Sequence, residues 1–178
     1  MSDSFRVRFV TALVALAILS AVLLWLTQHA LGASIPGPHV VLNADNVGPR
    51  EVEETTGNAI VRDYAAAWKS LQRALEQNDA SRLGNVWVGY AHDQLVNTIK
   101  AQTQSGLRTR YNDLGHKLEA VFYSPEGSAI ELRDTAQLEI QVLDGSSLIH
   151  SEQVTVHYIA VMTPTSDHWQ VRLLQEAP

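Results

Sequence analysis

Chemistry points first to Asp134. It stands in the alternating run Ile130-Glu131-Leu132-Arg133-Asp134-Thr135-Ala136-Gln137-Leu138 and shares parity with the apolar members. A carboxyl group on the apolar side of a strand is desolvated, which raises its pKa toward use as a general acid or base. Tyr158 shares the apolar parity of its own run, Val154 to Met162, and would bring a hydroxyl to the same interior. These two are the catalytic candidates. Each has a structural reading beside the catalytic one. Asp134 can be exposed at a bulge or paired with an arginine, and Tyr158 can pack in the core with its hydroxyl at the rim.

The remaining polar residues point elsewhere. Tyr64 and Trp68 lie on an apolar helical stripe and read as core. His150 and His157 are seven apart, so on a regular strand they face opposite sides, with His157 at solvent parity. His92-Asp93 opens a helix, and His116 beside Gly115 reads as a loop residue. No pair of histidines has a ligand spacing such as HxxxH, so no metal is expected. The chain contains no cysteine, which removes thiol nucleophiles, disulfides and cysteine-based zinc sites. P-loop, GxSxG and GxGxxG patterns are also missing, and no cofactor is expected. Arg108 and Arg110 with Tyr111 form a basic-aromatic cluster, read as the solvated flank of a strand with an anion site as the competing reading. Lys and Arg number 13 against 19 Asp and Glu, a net charge of -6. That balance disfavours nucleic acid, which needs clustered cations.

Three helices and a sheet must position these groups. Ile60, Tyr64, Trp68, Leu71 and Leu75 make one apolar stripe on a helix of about five turns beginning near Asn58, with Thr56 or Asn58 as its cap. Asn78-Asp79 ends it, and Asp79 caps a short second helix through Leu83. A third helix runs from Gly89 to Ser105, with Gly106 at its C-cap. The period then changes to two. Leu118, Ala120 and Phe122 share one face of a first strand, Ser124 to Gly127 turns, and Ile130 to Val142 makes a long second strand. Asp144-Gly145 turns again, Val154 to Met162 follows, and Trp169, Val171 and Leu173 mark the last strand. The expected class is α+β: three helices on the apolar face of a curved antiparallel meander of about four strands, spanning 58–176.

Ahead of that domain, Phe9 to Leu26 reads FVTALVALAILSAVLLWL without an ionisable residue. Eighteen helical residues span roughly 27 Å, near the thickness of a bilayer's hydrocarbon core. The reading is a transmembrane helix over 9–29. A cleaved signal peptide is the rival, but this core exceeds the usual roughly 7–15 residues. Arg6 and Arg8 precede the segment, and the next Lys or Arg is Arg50. The tail 1–8 is therefore expected in the cytoplasm and the C-terminal domain outside it. In a bacterium that means a single pass through the inner membrane and a periplasmic domain. Residues 30–57, rich in proline and glycine, read as a linker, in which Val40 to Leu42 could pair as an edge strand or pack on the domain.

The order of elements over Asn58 to Glu176, with the helix IVRDYAAAWKSLQRAL at Ile60 to Leu75 and the closing Asp167-His168-Trp169-Gln170-Val171, resembles the nuclear-transport-factor-2-like, or cystatin-like, cone fold. It is similar in detail to the IMS-like domain of the chloroplast and cyanobacterial division protein family. That family carries a long N-terminal part with a J-like domain before its membrane helix, whereas eight residues precede Phe9 here. The resemblance implies a membrane-tethered domain whose cone or sheet surface binds a partner or small ligand. Enzymes of this fold, isomerases and dehydratases, place Asp, His or Tyr inside the cone.

The expected function is thus a non-enzymatic extracytoplasmic binding or scaffold domain. It would engage a protein partner or itself through its sheet face, in an envelope or division assembly. Ile159 and Val161, apolar residues at solvent parity, and neighbouring His157 mark that surface. The alternative is a cone-fold isomerase or dehydratase using Asp134 and Tyr158, or a small-ligand or lipid carrier with a hollow cone.

Overall fold

The computed structural model describes residues 39–177. The expected membrane span, the tail before it and the first part of the linker lie outside these residues. Among the described residues no helix is long and apolar enough to cross a membrane.

Helix α1 runs from Glu54 to Gln77 and buries Ile60, Tyr64, Trp68, Leu71 and Leu75, the stripe expected from their spacing. It starts a turn earlier than that spacing suggests. The Gly57 N–H donates to the Glu53 carbonyl at 2.9 Å, so neither Thr56 nor Asn58 is the cap, and Glu54 favours the helix start electrostatically. Asn78 ends α1 in the left-handed region at φ 52°, with its N–H turned back to Ala74 and Leu75. The Asp79 carboxylate then accepts from the Ser81 N–H at 3.0 Å and caps a 3-10 helix over Ala80–Leu83. Helix α2, Gly89–Ser105, ends at Gly106 with φ 74°.

The sheet holds five strands in sequential order: β1 Val40–Asn43, β2 Leu107–Tyr123, β3 Ile130–Asp144, β4 Ser147–Pro164 and β5 Trp169–Glu176. This corrects the four-stranded antiparallel expectation. β1 pairs with β2 in parallel, Val40 opposite His116 and Leu42 opposite Leu118. The two run the same way because α1 and α2 intervene as a crossover, which parallel neighbours require. The other pairings are antiparallel hairpins. At the far edge Val86 to Val88 bonds to Val171 from both sides, at 2.8 and 3.0 Å. The indole of Trp87 between them donates to the Ala67 carbonyl and to Ser70 Oγ on α1. The core fills the space between α1 and the inner sheet face, where Leu118, Leu132, Ala136, Leu138, Ala160 and Met162 are buried.

β2 is longer than its apolar pattern shows. It starts directly after Gly106, so Arg108, Arg110, Tyr111 and His116 all lie within it rather than in a flank or loop. Its register shifts between Asp113 and Gly115 and between Ala120 and Phe122. The second shift sends Phe122 outward, 43% exposed, and buries Tyr123, reversing the faces that a strict period of two assigns. Each bulge adds a residue on one strand and bends the sheet locally.

Candidate functional site

Four side chains from three elements meet on the inner face. Asp134 on β3 is buried, as its parity requires. Its Oδ2 accepts from the Tyr64 hydroxyl of α1 at 2.8 Å and lies 2.7 Å from His116 Nδ1 on β2. The other ring nitrogen of His116, Nε2, sits 2.8 Å from Asp113 Oδ2. Asp113 and His116 are three apart in sequence and should face opposite sides of a regular strand. The bulge brings them together: Asp113 pairs with Leu138 and Gly115 with Gln137, leaving Leu114 as the extra residue, 45% exposed. Gly115 serves this geometry. Its φ is 148°, and a Cβ there would stand 3.4 Å from the His39 carbonyl, whose oxygen accepts from the His116 N–H at 2.8 Å.

His116 is the member that the sequence pattern hides. Its side chain is fully buried, with the ring of Trp68 at 4.5 Å and that of Tyr64 edge-on at 5.5 Å. Burial pulls the imidazole pKa down, but the hydrogen bonds and charges of Asp113 and Asp134 more than reverse it, to about 9. At neutral pH the ring is therefore protonated and donates to both carboxylates. Tyr64 holds its proton well above the ordinary range, first through burial and then through the charge of Asp134, so it remains a donor. Asp134 Oδ1, Asp113 Oδ1 and Trp68 Nε1 are buried without a hydrogen-bond partner among the described residues.

Tyr158 joins this cluster only by contact. It is the register partner of Asp134 and half-buried on the inner face, with its ring 5.6 Å from Trp68. Asp134 bonds to Tyr64 and His116, not to Tyr158. Burial, then the charges of Tyr111 and Glu176, push the Tyr158 pKa up. The side chains of His116 and Asp134 have no exposed surface, so a reacting atom has no path to either in this conformation. What the network does here is fasten α1 to β2 and β3. A second fastening lies nearby, where the buried Asp63 carboxylate of α1 accepts the Trp169 N–H of β5 at 2.7 Å. Among the described residues no cluster of His, Asp or Glu is arranged to hold a metal.

The outer face of the same strands is open. A groove of about 840 Å³ crosses it, with Val41, Lys117, Arg133, Thr135, His157 and Ile159 in its walls. Register explains the set: Val41, Lys117, Thr135 and His157 form one row across four strands, and Asn43, Glu119, Arg133 and Ile159 form the next. Val41 is 50% exposed and His157 is exposed, whereas Ile159 and Val161 are half-buried rather than free. Each of these two stands on an interior strand with neighbours on both sides: Arg133 and Gln175 flank Ile159, and Glu131 and Leu173 flank Val161.

No protein-family model matches the chain, and no curated protein matches it. Solved structures do. The intermembrane-space region of the chloroplast protein ARC6 superposes with a TM-score of 0.59 at 17% identity, over 72% of this chain and 98% of that one. A putative scytalone dehydratase from Novosphingobium aromaticivorans matches at 0.48 and 11% identity, over 71% of this chain and 89% of its own. A putative dehydratase of the NTF2-like family from Streptomyces avermitilis matches at 0.45 and 13% identity, over 68% and 97%. The fold is similar to that of the ARC6 intermembrane-space region.

Proposed function

We propose that this chain is a membrane-tethered, non-enzymatic binding domain that engages a protein partner, or a second copy, through the outer face of its sheet. In this reading residues 9–29 cross the inner membrane with the N-terminus inside, and the NTF2-like domain works on the extracytoplasmic side within an envelope or division assembly. The observation that carries it is the contrast between the two possible sites. Inside, the side chains of His116 and Asp134 have no exposed surface, while the outer groove presents Val41 and Ile159 among charges of both signs, a composition suited to a protein surface.

Ile159→Lys and Val161→Lys place ammonium groups on this face and should abolish association. The test is photo-cross-linking from Val41 in native membranes, with and without each substitution. One discrete adduct that Ile159→Lys removes supports the reading, and an adduct unaffected by both substitutions sinks it. Topology is tested separately by proteolysis of intact spheroplasts, where cleavage of the domain is expected. The enzyme alternative draws on the contact between Asp134 and His116. It requires an opening of the cone, and a substrate turned over by the parent protein but not by Asp134→Asn would favour it.

A further inference from the structure

The outer edge of β4 is only partly used. β5 pairs with β4 from Tyr158 to Pro164, whereas among the described residues the run from Ser147 to Val156 is paired on one side only, with β3. Every residue from Ser147 to Gln153 is exposed, including Leu148 at 54% and Ile149 at 57%. An edge of this length offers a row of unpaired N–H and C=O groups to another strand. Apolar side chains beside it make an unpaired state costly in water.

We propose that this edge is the seam of a two-fold homodimer in which two copies join their sheets antiparallel about Ser151. Charge selects both the occupant and the register. His150 and Glu152 lie on the same side of the strand, with Nε2 and Oε1 3.6 Å apart and both side chains more than half exposed. With Ser151 on the two-fold axis, His150 faces the partner's Glu152, and Glu152 faces the partner's His150. Centring the pair on Glu152 would instead set two carboxylates opposite each other, and centring it on His150 would set two imidazoles together, both unfavourable. The edge is therefore complementary to itself in one register. The register shift at Val142 and Leu143 leaves Ile149 as an extra residue on β4, so the bend it introduces closes the seam at each end. This surface is distinct from the outer groove, and the inference does not rest on the function proposed above.

The absence of cysteine makes the test clean. Ser151→Cys in the full chain should oxidise to a covalent dimer, while Ser105→Cys, exposed at the end of α2, should stay monomeric. By sedimentation His150→Glu should weaken the dimer about tenfold, since two cross-edge pairs become repulsive. Adding Glu152→Lys to that variant should restore it. Unchanged circular dichroism in each variant excludes misfolding. A chain that stays monomeric at high concentration overturns the proposal. A dimer in which Ser151→Cys fails to cross-link is held elsewhere and overturns it too.

Discussion

The two faces of β2, β3 and β4 carry polar residues in adjacent positions under opposite conditions. Inside, Asp134 and His116 are sealed beneath Trp68 and Tyr64, and the carboxylates hold the imidazole protonated. Outside, Arg133 and Thr135, its immediate neighbours, line an open groove with His157. The difference teaches that a titratable group in a strand gains its role from the face it is given. On the buried face a charge must be paired, and the pair becomes a structural fastening. On the open face the same residue types remain available to a partner and contribute little to stability.

The comparison can be broken in stages. Asp134→Ala leaves a buried imidazolium with one carboxylate and should cost about 3–5 kcal/mol in denaturant unfolding. Thr135→Ala, one residue away, should stay within about 0.5 kcal/mol. Equal costs for the two would erase the distinction between the faces.

The pH dependence comes next. The folded pKa of His116, about 9, lies above its ordinary value of 6.5. Its contribution is therefore fully present below about pH 6.5 and disappears as pH rises through about 9, a loss on the order of 2–3 kcal/mol. Stability measured across that window should fall in the parent protein and stay nearly level in His116→Gln, while His157→Gln on the open face should keep the parent slope. A flat parent profile would show that His116 is not protonated between the carboxylates.

Tyr64→Phe removes one donor to Asp134 and keeps the ring, so a loss of about 1–2 kcal/mol is expected. Ile159→Lys is expected to cost about 1 kcal/mol or less by thermal melting, since its site is half-buried and the long lysine stem can extend into the groove. Its large effect is reserved for association. A severe loss of stability would place Ile159 in the core rather than on a binding face.

Much of the frame can be read from residue spacing. The stripe from Ile60 to Leu75, the caps at Asn78, Asp79 and Gly106, and the inward parity of Asp134 all follow from periods of 3.6 and two. His116 could not be found that way. Gly115 beside it reads as a loop, and Leu114, an extra residue in the strand, breaks the count that would have placed Asp113 and His116 on one face. The flank Leu107 to Asp113 was hidden for the same reason, since Arg108, Arg110 and Asn112 give it little apolar alternation. The parallel strand β1 was open to two readings because four residues among prolines and glycines carry little signal. Its pairing is decided by a partner more than seventy residues away.

The sequence by itself determined the α+β order, the C-terminal ends of the helices, the apolar run near the N-terminus and the burial of Asp134, because these depend on neighbours within a turn or a hairpin. Only the tertiary structure decided what Asp134 touches, that His116 is charged between two carboxylates, and which stretch of β4 is left unpaired. Those depend on bulges and long-range register, where a shift of one residue exchanges the buried and open faces of a strand.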